Sequence, residues 1–96
     1  MMKIIAVCGL GVGSSVIAKL NIESIMTAEQ RDVDVDTIDL GSIKSAPADI
    51  YVTTRELYDD FPDDGDYRAK TLVLTNFVDQ ADIKSHLDAR FAELGV

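Results

Sequence analysis

The segment Lys3 to Ser15, KIIAVCGLGVGSS, constrains the chain more than any other. Lys3 to Cys8 is a short, nearly continuous apolar run, which suits a central parallel strand covered on both faces. The run ends abruptly in glycines at alternate positions, Gly9, Gly11 and Gly13. Ser14 or Ser15 then reads as the N-cap of a helix reaching about Glu29. Val16, Ile17, Leu20, Ile25 and Met26 fall at mostly helical spacings along it.

The remaining chain keeps alternating. Arg31 to Leu40 interleaves Asp with Val and predicts a strand with one wet face near a sheet edge. Gly41 to Pro47 reads as a loop, Ala48 to Thr53 as a third strand, and Thr54 to Phe61 as a short helix. Pro62 to Asp66 is a turn, and Thr71 to Thr75 is a fourth strand. Asp79 to Leu94 is a last helix, with Ile83, Leu87, Phe91 and Leu94 in one stripe. Strands separated by helices predict an α/β fold with three layers, α/β/α, around a four-stranded parallel sheet. A chain of 96 residues has room for one such domain, residues 1–96. Ligands of these sheets bind beyond the carboxyl ends of the strands, where the strand order reverses. Three segments should meet there: Cys8 to Ser15, Thr53 to Glu56, and Thr75 to Asp79.

Charge and cysteine content narrow the function. Nine Lys+Arg against 17 Asp+Glu give a net charge of -8. That argues against nucleic acid, whose backbone demands clustered cations, and against an anionic membrane surface. No stretch approaches the roughly 20 apolar residues of a membrane span, and the apolar run before Cys8 is too short for a signal peptide. The expectation is a cytoplasmic protein. One cysteine excludes an internal disulfide.

Cys8 and the loop after it carry the chemistry. Glycines let successive backbone N–H groups converge and keep side chains out of the way. The helix start adds unpaired N–H groups and a positive dipole end. Gly9, Leu10, Gly11, Val12, Gly13, Ser14 and Ser15 together form an anion site suited to phosphate. The same field favours thiolate, so Cys8 is the candidate nucleophile. The alternative is a small core cysteine beside glycines that only permit tight packing; the position at the strand's carboxyl end favours the site. A nucleoside-triphosphate loop is excluded, because no Lys stands where Gly-Lys-Ser/Thr requires one. The dinucleotide spacing fails as well. A phosphatase loop of the Cys-x5-Arg kind has Ser14 in place of the arginine, so hydrolysis lacks its bidentate cation.

These residues resemble the IIB component of the bacterial sugar phosphotransferase system, most of all the ascorbate/galactitol type, with the lactose/cellobiose type related. Lys3 to Met26 carries the resemblance; the element order and length extend it across the chain. It implies a Rossmann-like, phosphatase-like fold with the active loop after strand 1. It also implies that Cys8 accepts a phosphoryl group from phosphohistidine on a IIA protein. The group then passes to a carbohydrate held by a membrane IIC permease, through which the chain would sit peripheral to the inner membrane. No cofactor or metal is called for, and a monomer forming transient complexes is expected. Two other readings stay open: a low-molecular-weight phosphatase or arsenate-reductase-like hydrolase, and a non-catalytic anion-binding regulatory domain.

Other residues have weaker claims. Thr53, Thr54 and Asn76 follow strands and are candidates for hydroxyl or amide contacts to the site. Leu10 and Val12 are candidate docking contacts. His86 is placed beside the last helix's apolar stripe, away from the active edge. Asp59, Asp60, Asp63, Asp64 and Asp66 lack calcium-loop spacing and read as a solvated turn. Asp32, Asp34 and Asp36 share a strand face and should keep an edge soluble.

Overall fold

The computed structural model describes residues 2–8, 14–61, 65–74 and 79–95. Among the described residues, strands and α-helices follow in the order β1 (Met2–Cys8), α1 (Ser14–Ala28), β2 (Val33–Asp39), β3 (Ile50–Thr54), α2 (Arg55–Tyr58), β4 (Thr71–Leu74) and α3 (Gln80–Leu94). A 3-10 helix, Leu40–Ser45, links β2 to β3. The expected loop from Gly41 to Pro47 is therefore partly helical. Its Ile43 is buried against the sheet, and burying that side chain fixes the turn.

The sheet order is β2-β1-β3-β4, and every pairing is parallel. α1 and α3 cover one face. Ile22, Met26, Ile83, Leu87 and Phe91 pack there on Ile4, Ala6, Ile50 and Val52. The 3-10 helix and α2 cover the other face, with Ile43, Leu57 and Phe61 on Ile5, Val7 and Tyr51. The alternation along β1 follows from the strand period of two, and both of its faces are apolar because both are covered.

Two local expectations change. Ser14 and Ser15 are the first residues of α1 rather than its cap, a difference of the size that separates boundary conventions. More consequentially, Val16, Ile17 and Leu20 do not face the core. They are 49%, 43% and 59% exposed, while Ala18, Ile22, Ile25 and Met26 are buried. The buried set follows i, i+4, i+7 and i+8, a complete helical stripe in itself. The first two turns of α1 carry a second apolar strip on the outside.

At the β2 edge, the charges are paired as well as solvated. Lys3 Nζ lies 2.8 Å from Asp34 Oδ2 and 3.7 Å from Asp36 Oδ2. The register Lys3↔Asp34 brings them onto one face. The hydrogen bond to Asp34 raises the Lys3 ammonium above its ordinary pKa. At the amino-terminal edge, Met2, Arg31, Asp32, Val33, Asp49 and Phe91 line a cleft of about 420 Å³. The Arg31 guanidinium lies 4.2 Å from the centre of the Phe91 ring.

The contrast along α1 is testable by urea unfolding. Ile22→Ala is expected to cost about 2–5 kcal/mol, as for a fully buried aliphatic residue. Leu20→Ala, two residues away on the outer face, should change stability by no more than about 0.5 kcal/mol.

Candidate functional site

β1 and β3 are the strands at which the chain reverses its direction across the sheet. β1 leads through α1 to β2 on one side, and β2 leads back over β1 to β3 on the other. Their carboxyl ends mark the crevice where such sheets take ligands. Cys8 is the last residue of β1, and α1 starts at Ser14. A strand therefore ends at the cysteine and a helix begins at Ser14. Gly9, Leu10, Gly11, Val12 and Gly13, expected from the sequence to hold phosphate, lie outside the described residues, as does Asn76.

The two neighbours hold β1 unequally. Pairing with β2 runs the full strand, from Met2↔Val33 to Cys8↔Asp39. Pairing with β3 covers only Ile4↔Ile50 to Ala6↔Val52. Continuing that register would set Cys8 level with Thr54, but the ladder stops before it. The cysteine thus stands where the sheet opens on one side.

Thr53 and Thr54 come to this opening, as their sequence positions suggested, but with different surroundings. Thr53 is fully buried, and its hydroxyl donates to the Val7 carbonyl at 3.3 Å. Its proton goes to the backbone carbonyl of the residue before Cys8. Thr54 is half-buried at the end of β3 and precedes α2 without capping it through its side chain.

Arg55 follows directly and is the residue that sequence reading passed over. The loop from Cys8 to Ser15 contains no arginine. Yet the fold brings Arg55, exposed at the first position of α2, to the same carboxyl edge. The signal was available, since Arg55 falls inside the Thr53 to Glu56 segment expected at the site.

The other candidates separate from this edge. His86 lies on α3, with Nδ1 2.9 Å from the Asp82 carbonyl and 3.4 Å from its carboxylate. That places it in a local contact one helical turn long. Among the described residues, no group of three or more His, Cys, Asp or Glu is placed to hold a metal ion. No described helix is long and apolar enough to cross a membrane.

Similarity to known proteins identifies the family and the fold. The sequence matches the family described as PTS system, Lactose/Cellobiose specific IIB subunit, over residues 3–89. The chain belongs to this phosphotransferase-system IIB family. It is 31% identical over 88 residues to the ascorbate-specific PTS system EIIB component of Mycoplasma pneumoniae, covering 90% of each chain. IIB components of this kind work with IIA and IIC partners. Solved structures of similar fold include a low molecular weight phosphotyrosine phosphatase from Vibrio cholerae O395, with TM-score 0.64, 10% identity and full coverage of both chains. A mutant of YwlE from Bacillus subtilis matches with TM-score 0.56 and 18% identity over 93% of this chain and 90% of that one. At these identities the likeness shows the fold alone, and one fold can carry different chemistries.

Arg55 is exposed and has no ion-pair partner among the described residues. Arg55→Ala should leave urea unfolding within about 0.5 kcal/mol of the parent. Any loss of phosphoryl transfer in that variant would then report on the site rather than on folding.

Proposed function

We propose that the chain is the IIB component of an ascorbate-type phosphotransferase system, acting in the cytoplasm through Cys8. The cysteine thiolate attacks phosphorus on a IIA phosphohistidine. A P–S bond forms, the P–N bond breaks, and the imidazole leaves with its electron pair. In the second transfer, a carbohydrate hydroxyl bound by the membrane IIC partner attacks the same phosphorus. A P–O bond forms, the thiolate leaves, and the hydroxyl proton passes to a base in the acceptor's site. Both steps depend on in-line positioning and on stabilising charge on the transferring group.

The observation that carries this reading is the placement of Cys8. It ends the central strand at the crossover point, where pairing with β3 has already stopped and a helix begins six residues later. The resemblance of the whole chain to an ascorbate-specific component supports the choice of system. The missing loop arginine supports a carrier over a hydrolase, because a phosphothiol must survive between partners. Asn76, Thr54 and the loop Gly9 to Ser15 are the remaining candidates to touch the phosphoryl group in this reading.

The test incubates the chain with phosphoenolpyruvate, the general relay proteins and a matching IIA, read by intact mass and phosphorus NMR. One phosphoryl group on sulfur is expected in the parent, none in Cys8→Ser or Cys8→Ala, and its return to the relay in excess pyruvate. An unlabelled parent beside an active relay, or steady turnover of an aryl phosphate, would favour the hydrolase or regulatory reading.

The exposed strip of Val16, Ile17 and Leu20 belongs to the same reading. A specific partner covers about 800 Å² of each protein, more than a loop of a few residues offers. A partner reaching Cys8 therefore overlaps the first turns of α1. Ile17→Ser with Leu20→Ser is expected to raise the KM for phosphorylated IIA about tenfold, near 1.4 kcal/mol. The rate at which iodoacetamide alkylates Cys8 should stay unchanged. Equal KM values would remove this strip from the interface.

A further inference from the structure

The end of the β1–β3 ladder leaves a backbone question. In a parallel pair with this register, the Val7 carbonyl would accept from the Thr54 amide if pairing continued. Pairing ends at Ala6↔Val52. Val7 is fully buried, so its carbonyl cannot turn to bulk water and needs a partner inside the protein. The Thr53 hydroxyl, also fully buried, supplies it at 3.3 Å. A side chain has replaced one rung of the ladder at the last peptide before Cys8.

The start of the same pairing shows a similar device. Asp49 Oδ2 accepts from the Lys3 amide at 2.8 Å, and the Asp49 amide donates to the Lys3 carbonyl at 2.9 Å. The short ladder is thus closed by a polar side chain at each end. Only the Thr53 end adjoins the cysteine.

We propose that Thr53 is a positioning residue for the thiol. Its hydroxyl fixes the Val7–Cys8 peptide plane on the side where β3 no longer pairs with β1. The peptide is rigid, so holding its carbonyl also sets the direction of the Cys8 amide and the location of its Cα. β2 holds the other side through the Cys8↔Asp39 pairing. Between them, the cysteine is fixed without a β3 backbone bond at its own level, and the sheet can open there for a phosphoryl group. The inference rests on Cys8 being the reacting residue, but it does not require that a IIA protein be the donor. A threonine suits the position because its methyl packs in the buried layer while its hydroxyl reaches the carbonyl. Valine keeps the shape and removes the bond.

The experiment compares Thr53→Val, Thr53→Ser and the parent in two assays. The first is the pH profile of Cys8 alkylation by iodoacetamide, which needs no partner. The second is phosphoryl transfer from IIA, resolved into kcat and KM. Thr53→Val is expected to shift the midpoint of the alkylation profile and to lower kcat about tenfold, with KM within about twofold, since misplacement at a reacting centre acts on the transition state. Thr53→Ser should restore most of both. Should Thr53→Val fail to fold, Thr53→Ala takes its place. A parental profile and kcat in the valine or alanine variant, with only a lower melting temperature, would overturn the proposal and leave Thr53 as a satisfied core hydroxyl. A serine variant as impaired as valine would overturn it too, since the methyl rather than the hydroxyl would then matter. If the parent alkylates normally and is never phosphorylated, the carrier reading fails. The alkylation profiles would then still decide the role of Thr53.

Discussion

The unequal hold on β1 is the constraint on which the site depends. A central parallel strand is ordinarily bonded along both edges and buried on both faces, which makes it the least mobile part of such a fold. Here β2 pairs with β1 to its last residue, while β3 releases it after three residues. The body of the strand is rigid because Ile4, Ile5, Ala6 and Val7 are all buried. Its end is free on one side only. Under the proposed function, that combination would give the Cys8 thiolate a fixed origin and an open approach for both transfers.

The fold and the chemistry are separable in this molecule. A phosphotyrosine phosphatase shares the fold at 10% identity, so the fold alone does not set the reaction. What distinguishes the chain is local: Ser14 where the Cys-x5-Arg pattern has arginine, and Arg55 reaching the same edge from the start of α2. A cation outside the loop can attract an anionic group without being fixed around its equatorial oxygens. Retaining a phosphoryl group and hydrolysing one differ in that bidentate grip.

Much of this was legible in the residues because period and punctuation agree. The apolar run Lys3 to Cys8, the Asp–Val alternation of β2, and the stripe of Ile83, Leu87 and Phe91 each match one element and one face. The glycine-rich sequence after Cys8 pointed to the family, and the family match bears that out. Other features were not legible for physical reasons. Apolar character does not say which side of a helix is buried, so Val16, Ile17 and Leu20 were indistinguishable from Ala18 and Ile22 until α1 was seated on the sheet. The 3-10 turn at Leu40–Ser45 is set by where Ile43 finds a pocket, a tertiary fact. The role of Thr53 depends on where a ladder stops. No periodicity encodes that, because the end of pairing depends on two strands distant in sequence.

The cleft at the amino-terminal edge gathers the start of β1 and the last turns of α3. Met2 opens β1, and Phe91 sits in the last turns of α3; both line that one cleft. In a parallel sheet this edge is a full strand length from Cys8. A linker, label or immobilising tether joined at either end would therefore emerge on the side away from the thiol. The reactive edge would keep its full solid angle for whatever approaches it. The protein could be anchored to a surface, or carried beside another folded unit, without being turned away from its partners.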